Sequence, residues 1–525
     1  MILELLITLT SGLLLAILVL VVSRIVMDRW ALIKFKKVTR GLPMVPDVRL
    51  AGNHSISLIL SERVCHKATK YHEELGKTFG ILMGTRYCAV TCDLDLIKRV
   101  ILDEPNSHLN RIPLNLPLEE FEKSIMLAPA EEWRKLRKAI APALTNNKFK
   151  TPNVMEEIQA SINKLIGHIE RRLAKTDEPG HDEFIVDDFA QKYSMDLVFR
   201  CFYKQYDLID FDNPHDSWSE SVEQSLNDVQ HSPFVKLAVV FPMFRSFVDW
   251  LVWNFTEQGK GRKMITGFIL AQTKLGLMAR TRLKELESEA RASRGPKLDP
   301  NNFLLKDGTR FRRNMTDYIV DQYLDGKISK AQHVNSSSFL MGAADRTAAD
   351  CIIHTIYLLS IDQAVQDKLR SSIRTEGTES EYLDWVIKES LRLMPPAPIG
   401  CSRALDHDIT LKEGYVLPAS TFLITCAYVI HRLKEYWGED AEEFKPERWR
   451  DTSHHHPLQY IPFGAGLRGC PGKMFAMFEI KMLFVELLNR YKFHGEPRAD
   501  AYEINSPLLI FVIPNSATKV RIERL

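Results

Sequence analysis

The stretch PFGAGLRGCPG, Pro462 to Gly472, limits what this 525-residue chain can fold into more than any other feature. Gly464, Gly466 and Gly469 stand at G-x-G-x-x-G spacing, the turn that cradles a pyrophosphate, and Glu486 follows as a candidate ribose-binding acid. The setting argues against a nucleotide. Such a turn must leave a buried strand and open a helix inside a strand–helix–strand unit. Pro462 removes a backbone donor where that strand should pair. Glu486 lies in KMLFVELLNRY, whose apolar spacing is helical. Only about fifty residues follow the loop, too few for the rest of a nucleotide domain. Cys470 offers another use of the glycines, which let backbone turn tightly and approach a flat ligand. A helix beginning at Lys473 would set its positive end beside the sulfur and favour the thiolate. Arg468 can then meet an acidic group of the ligand.

Composition is that of an ordinary globular protein, with 45% hydrophobic and 26% charged residues and a formal charge of +2. No basic run with interleaved aromatics occurs, so nucleic acid is not an expected partner. The eight cysteines are scattered rather than set as a disulfide framework, which reads as reduced thiols in a cytosol-facing protein. Cys88 and Cys92 lack a second pair or a histidine to complete a zinc site. His454 to His456 read as a solvated turn.

The first residues are less ordinary. Ile2 to Val22 is apolar apart from Glu4 and a few hydroxyls, and as a helix would span about 30 Å, a bilayer core. Arg24, Arg29, Lys34, Lys36, Lys37 and Arg40 follow it, which places the remainder on the cytoplasmic side. The expected organisation is an N-terminal transmembrane anchor over 1–23, a basic linker over 24–41 and a catalytic domain over 42–525. Pro43 and Pro46 are expected to stiffen the chain after the linker. Amphipathic patterns then dominate, around Trp133–Leu144, Val154–Ala174, Met264–Ala292, Ala331–Leu369, Leu383–Leu393 and Lys473–Tyr491. Strand-like runs are short: FGILMG, YCAVTC, TFLITCAYVI and LLIFVIP. The fold class expected is mainly α with small β-sheets, an α+β arrangement. The aromatic-rich stretch from Pro233 to Phe255 reads equally as a membrane-surface element or as core.

Phe463, Gly466, Arg468, Cys470 and Gly472 reproduce F-x-x-G-x-R-x-C-x-G, and in this the chain resembles the cytochrome P-450 family. KESLR supplies Glu389 and Arg392 for the family's E-x-x-R, and FKPERW supplies Arg448. The resemblance implies that these three form a buried network behind the loop. EEWRKLRKA gives Trp133 and Arg137 at W-x-x-x-R spacing, one face of a helix. The resemblance makes them, with Arg403 and Arg468, partners of the haem propionates, although an amphipathic surface helix would show the same spacing. In NSSSFLMGAADRTAAD the small residues 342–344 would let a macrocycle lie close. The family carries an acid–alcohol pair there to relay protons. In one register Asp345 is the acid and Arg346 takes the alcohol's place; in the other Arg346 replaces the acid and Thr347 is kept. Counting forward to YLLS at Tyr357 favours Thr347. A second departure is the short link from Leu369 to Tyr382.

The resemblance implies a P-450 fold from about residue 42, with Cys470 as axial ligand of haem b, similar to animal microsomal xenobiotic oxidases and thromboxane synthase. It also implies monooxygenation of a small lipophilic substrate by O2. NADPH–cytochrome reductase, with a small haem cytochrome, would supply electrons at the endoplasmic reticulum membrane. Arg134, Lys135, Lys138 and Lys473 are candidates for the docking face. The altered Asp345–Arg346–Thr347 motif leaves two alternatives: a reductase-independent haem-thiolate isomerase of lipid peroxides, or an inert haem-binding relative.

Overall fold

In the computed structural model the described residues are 25–46, 64–83, 86–113, 124–144, 149–175, 182–216, 315–399, 402–498 and 517–525, with a few single positions and short pieces between them. Among these, nine longer helices carry the architecture: α1 (Val64–Leu75), α2 (Ala130–Ile140), α3 (Pro152–Leu173), α4 (Val186–Val198), α5 (Met315–Leu324), α6 (Lys330–Ile361), α7 (Gln363–Glu376), α8 (Glu381–Leu393) and α9 (Lys473–Arg490). The strands are short and fall into four small sheets.

α6 runs through the interior. Ser329 starts it with a reciprocal capping box to Gln332, satisfying two backbone donors that a helix start leaves open. It is buried on most of its faces, since α4 packs along it and α8 and α9 also press against it. The apolar pattern through Ala331–Leu369 is carried by two helices. Asp362 accepts from the backbone N–H of Val365 and so caps α7 immediately after Ile361. Periodicity hides such a break because both helices keep an apolar face towards the same core. The short link to Tyr382 is a complete connection: α7 ends at Glu376, one 3-10 turn covers Gly377–Glu379, and the Ser380 hydroxyl caps α8.

The largest sheet has the order β1 (Thr78–Met83), β2 (Arg86–Thr91), β7 (Phe422–Thr425), β4 (Arg403–Ala404). β1 and β2 form a hairpin, β2 runs parallel to β7, and β4 is antiparallel to β7 with Arg403 opposite Leu423. This sheet carries Met83 and Ile424, with Ser402 just ahead of β4, to one wall of the internal cavity. β3 (Asp182–Ile185), β11 (Lys519–Arg524) and β8 (Tyr491–His494) make a second sheet that ties the chain end to the C-terminus of α9. β5 (Ile409–Thr410) pairs with β6 (Val416–Leu417). Of LLIFVIP only Ile513–Pro514 is described, as β10, paired with β9 (Ile504–Asn505).

The linker expected over 24–41 is largely a docked helix, covering 25–38. Ala31, Leu32 and Phe35 form a stripe among the basic residues and pack on the hairpin, with Phe35 stacked on Tyr87 at 4.5 Å between ring centroids. The chain then runs extended along β1, where Gly80 N–H donates to Pro43 O and Val45 N–H to Gly80 O. No helix among the described residues is long and apolar enough to cross a membrane. The expected anchor, apart from single positions, and the stretches 233–255 and 264–292, apart from two positions, lie outside the described residues.

Candidate active site

The loop ahead of α9 is held in a tight spiral by its own backbone. Gly464 N–H donates to Ile461 O, Gly469 N–H to Gly466 O, and Cys470 N–H to Phe463 O at 2.8 Å. Gly466 has φ +66, and a Cβ there would come within 2.6 Å of Ile101 O, so no other residue fits. Gly472 is the N-cap of α9 and supplies no side-chain cap, which leaves the first turn's N–H groups directed back towards Cys470. Six of the seven described cysteines are buried and Cys470 is exposed, into the cavity whose wall it forms. Those are the conditions in which a thiolate is stabilised at a cavity wall where a metal could meet it.

The cavity measures about 360 Å³ and is walled mainly by apolar side chains. Its polar part is cationic. Arg111, Arg137 and Arg468 all reach it, as does Trp133. Arg137 donates to Gly469 O at 3.2 Å, Arg111 to the carbonyls of Met126 and Arg468, and Arg468 to those of Met126 and Ala128. The Arg468 guanidinium stacks over the Trp133 ring at 4.8 Å. Burial lowers the Arg137 pKa, the Cys470 sulfur pulls it back up, and the charge of Arg111 lowers it further. A wall of like charges beside a thiol suits a flat dianion whose metal faces the sulfur. Haem, with two propionates, fits this donor set.

The residues expected in the site separate into two groups. Trp133, Arg137, Phe463, Gly466's loop, Arg468, Cys470 and Gly472 come together around the cavity, and Thr347 lines it from α6. The Thr347 hydroxyl donates back to Ala343 O at 2.7 Å. Arg403 is buried and donates to Ser402 O, so the wall takes its neighbour Ser402 instead. Asp345 and Arg346 do not join Thr347. Arg346 reaches Gln191 of α4 at 3.5 Å and lies 2.9 Å from Asp350 on its own helix, and the Asp345 carbonyl accepts from Ser194 of α4. Three consecutive helix positions are set about 100° apart, so they cannot all face one ligand.

Glu389, Arg392 and Arg448 form the expected network behind the loop. Glu389 accepts from Arg392 Nε and Nη2 at 2.9 Å, from Arg448 Nε at 2.7 Å, and from Trp449 Nε1 and Lys445 N at 3.0 Å. Arg392 also donates to His431 O. His431 Nδ1–H donates to Arg392 O at 3.2 Å, and its Nε2 accepts from Ile461 N at 2.9 Å, where the loop begins. Burial, with the charges of Arg392 and Arg432 beside it, holds His431 neutral, its pKa down at about 3. The network is thus wired to the loop through an imidazole that sequence reasoning passed over. Arg111 was passed over too: a lone arginine in NRIP has no motif around it.

The cytochrome P450 family model matches residues 52–522. Putative cytochrome P450 CYP13A2 of Caenorhabditis elegans is 28% identical over 477 residues, covering 86% of this chain and 87% of that protein. Cytochrome P450 3A9 of Rattus norvegicus is 26% identical, covering 82% of this chain and 80% of its own length. Cytochrome P450 3A13 of Mus musculus is 25% identical, covering 80% and 79%. A thiol presented under an arginine-lined cavity and a match across most of the chain lead to one conclusion: the chain belongs to the cytochrome P450 family, haem-thiolate monooxygenases that hold haem b through a cysteine.

Proposed function

We propose that this chain is a membrane-anchored monooxygenase of small lipophilic compounds, fed by NADPH–cytochrome reductase at the endoplasmic reticulum, with residues 1–23 as anchor and about 42–525 as catalytic domain. The observation that carries the reading is Cys470, the exposed cysteine at the mouth of α9 and in the cavity wall. Cys470 would hold the iron, and Arg111, Arg137, Arg468 and Trp133 the propionates, with Arg403 just behind the wall. Bound there, haem supplies the oxygen-activating chemistry.

The protein's own residues do the rest. Ile112, Ile125, Met126, Phe339 and Leu340 line the cavity and would exclude water around an apolar substrate. Ala343 and Ala344 leave room for a flat ring against α6. Thr347 offers the hydroxyl at that wall and holds a proton on Oγ1. On the outside, Val26, Met27, Trp30 and Ile33 are exposed on helix 25–38 between basic residues, a pattern suited to a bilayer interface. Arg134, Lys138 and Lys473 are exposed near the thiolate side and would meet an acidic redox partner; Lys135 shares its charge with Glu131.

The test is the carbon-monoxide difference spectrum of the reduced, haem-loaded protein. The far-red Soret band of a thiolate ligand is expected, and Cys470→Ala should abolish it. Turnover should then require NADPH and reductase. Turnover with a hydroperoxide alone would replace the monooxygenase by the isomerase, and no turnover by either route would leave a haem-binding relative.

A further inference from the structure

Arg111 reaches the cavity from residues 109–113, a stretch with no helix or strand of its own to hold it. A long cationic side chain keeps one position only if its backbone is fixed by neighbours. The fixing residue is His108. It is 1% exposed, and its ring makes two hydrogen bonds of opposite sense. Nδ1 accepts from the Asp406 N–H at 3.1 Å, and Nε2 lies 3.0 Å from Glu104 Oε2. A ring nitrogen that accepts carries no hydrogen, so the hydrogen is on Nε2 and is donated to the carboxylate.

Glu104 is a firm base for that bond. Its Oε1 accepts from Arg99 Nε at 2.9 Å, and Nε2 of the exposed His407 stands 3.1 Å from Oε2. The Arg99 bond pulls its carboxyl below the usual range; burial opposes this, and His108 pulls the same way as Arg99. Glu104 follows directly on the π-helical turn Arg99–Asp103, whose Ile101 carbonyl closes over Gly466 of the cysteine loop. Glu104, His108 and His407 have the composition of a metal site, with ligand atoms within 4.8 Å of one another. The tautomer speaks against that use, since freeing the Nε2 lone pair would set a hydrogen on Nδ1 against the Asp406 N–H.

From His108 the stitching runs along the chain. Asn110 O accepts from Ala404 N at 2.8 Å, and Asn110 Oδ1 accepts from Ala130 N at 2.9 Å. Ala130 opens α2, where Pro129 offers no side-chain cap, so Asn110 caps from outside the helix that bears Trp133 and Arg137. Arg111 donates to Arg468 O at 3.1 Å, and Ile112 N–H to Ser402 Oγ at 3.0 Å. Within five positions the chain is tied to α2, to the cysteine loop and to the segment at β4, the elements that bound the cationic wall.

We propose that His108 is a positioning residue for haem: pinned between the Asp406 N–H and the Glu104 carboxylate, it fixes residues 109–112 so that the Arg111 guanidinium is held towards a propionate. His108 is not among the described lining residues and acts through Arg111. The inference rests on haem filling the cavity beside Cys470, as in the monooxygenase reading.

The test is a double-mutant cycle on the haem-loaded full chain, read by haem transfer to excess apomyoglobin and by the reduction potential. His108→Phe keeps a buried ring and loses both bonds. It should keep the thiolate carbon-monoxide band, release haem about tenfold faster and lower the potential, since a cation withdrawn from the propionates no longer favours the added electron. Arg111→Met should do the same. The two changes together should release haem no faster than Arg111→Met alone, because a positioning residue then has nothing left to position. His108→Asn can keep the acceptor for Asp406 and His108→Gln the donor to Glu104, so each should restore part of the retention and of the potential. If His108→Phe does not fold, these two run the same cycle. A His108→Phe protein with wild-type release and potential overturns the proposal. So does a double variant whose release is the product of the two single changes, the mark of a merely structural residue. An Arg111→Met protein with unchanged release and potential overturns it too, by removing the residue through which His108 acts. Absence of the thiolate band from wild type would instead overturn the monooxygenase reading.

Discussion

Two of the buried clusters of arginine and carboxylate among the described residues are built differently. Behind the cysteine loop, Glu389 and Arg392 have no exposed surface, and both oxygens of Glu389 are taken by Arg392, Arg448, Lys445 and Trp449. Between α6 and α4, Asp345 and Asp350 share Arg346, yet Asp345 Oδ1 has no hydrogen-bond partner. Asp350 lies 2.9 Å from Arg346 Nε as an ion pair whose direction is poor for a hydrogen bond. A saturated cluster fixes where chain segments sit, because every donor and acceptor has one answer. An undersatisfied one has a cheaper escape: an acid with few donors takes up a proton. Burial pushes both Asp345 and Asp350 up, Asp345 to about 8, with Arg346 only partly opposing it.

The comparison predicts its largest effect at Glu389. Replacing it by Ala strips Arg392 of its counter-charge at a site with 0% exposure. Stranding such a charge costs about 3–5 kcal/mol. The expected result is little folded haem protein, seen as a collapsed carbon-monoxide band and a lower unfolding midpoint. Glu389→Gln, which keeps the shape and loses the charge, should fall between. Arg346→Met should cost less, about 1–2 kcal/mol at pH 6, because Asp345 and Asp350 can be neutral there. Its cost should grow at pH 8, where the carboxyls lose protons beside a missing cation. Urea unfolding of both variants at the two pH values decides it; equal losses at Glu389 and Arg346 would break the contrast.

The cysteine loop could be read from sequence because its chemistry needs contiguous residues: glycines, thiol and helix start within eleven positions. Glu389 and Arg392 could be read because they share one helical turn. Arg111 and His431 could not, since each meets the site only through partners brought up by packing, Arg468 for the first and Ile461 for the second. The Asp345–Arg346–Thr347 motif shows the limit most clearly. Its letters allow two registers, and only the side of α6 that meets α4 separates Thr347 from its neighbours. Arg403 matches a family position by its letters, while the residue that lines the wall there is Ser402, just ahead of β4.

The effect expected at Asp345 carries the sharpest sign. Burial raises its folded pKa to about 8, well above the ordinary aspartate range, so the folded state prefers the protonated form. That contribution is complete below about pH 4 and is lost as pH rises towards 8. Wild type should therefore unfold at lower temperature at pH 8 than at pH 5. Asparagine imitates the neutral acid at every pH, so Asp345→Asn should be close to wild type at pH 5 and more stable at pH 8. The slope should shrink without vanishing, because Glu479 is raised in the same direction and titrates in the same window. A variant that loses stability equally at both pH values would show that Asp345 is held ionised by Arg346, and the two clusters would then be of one kind.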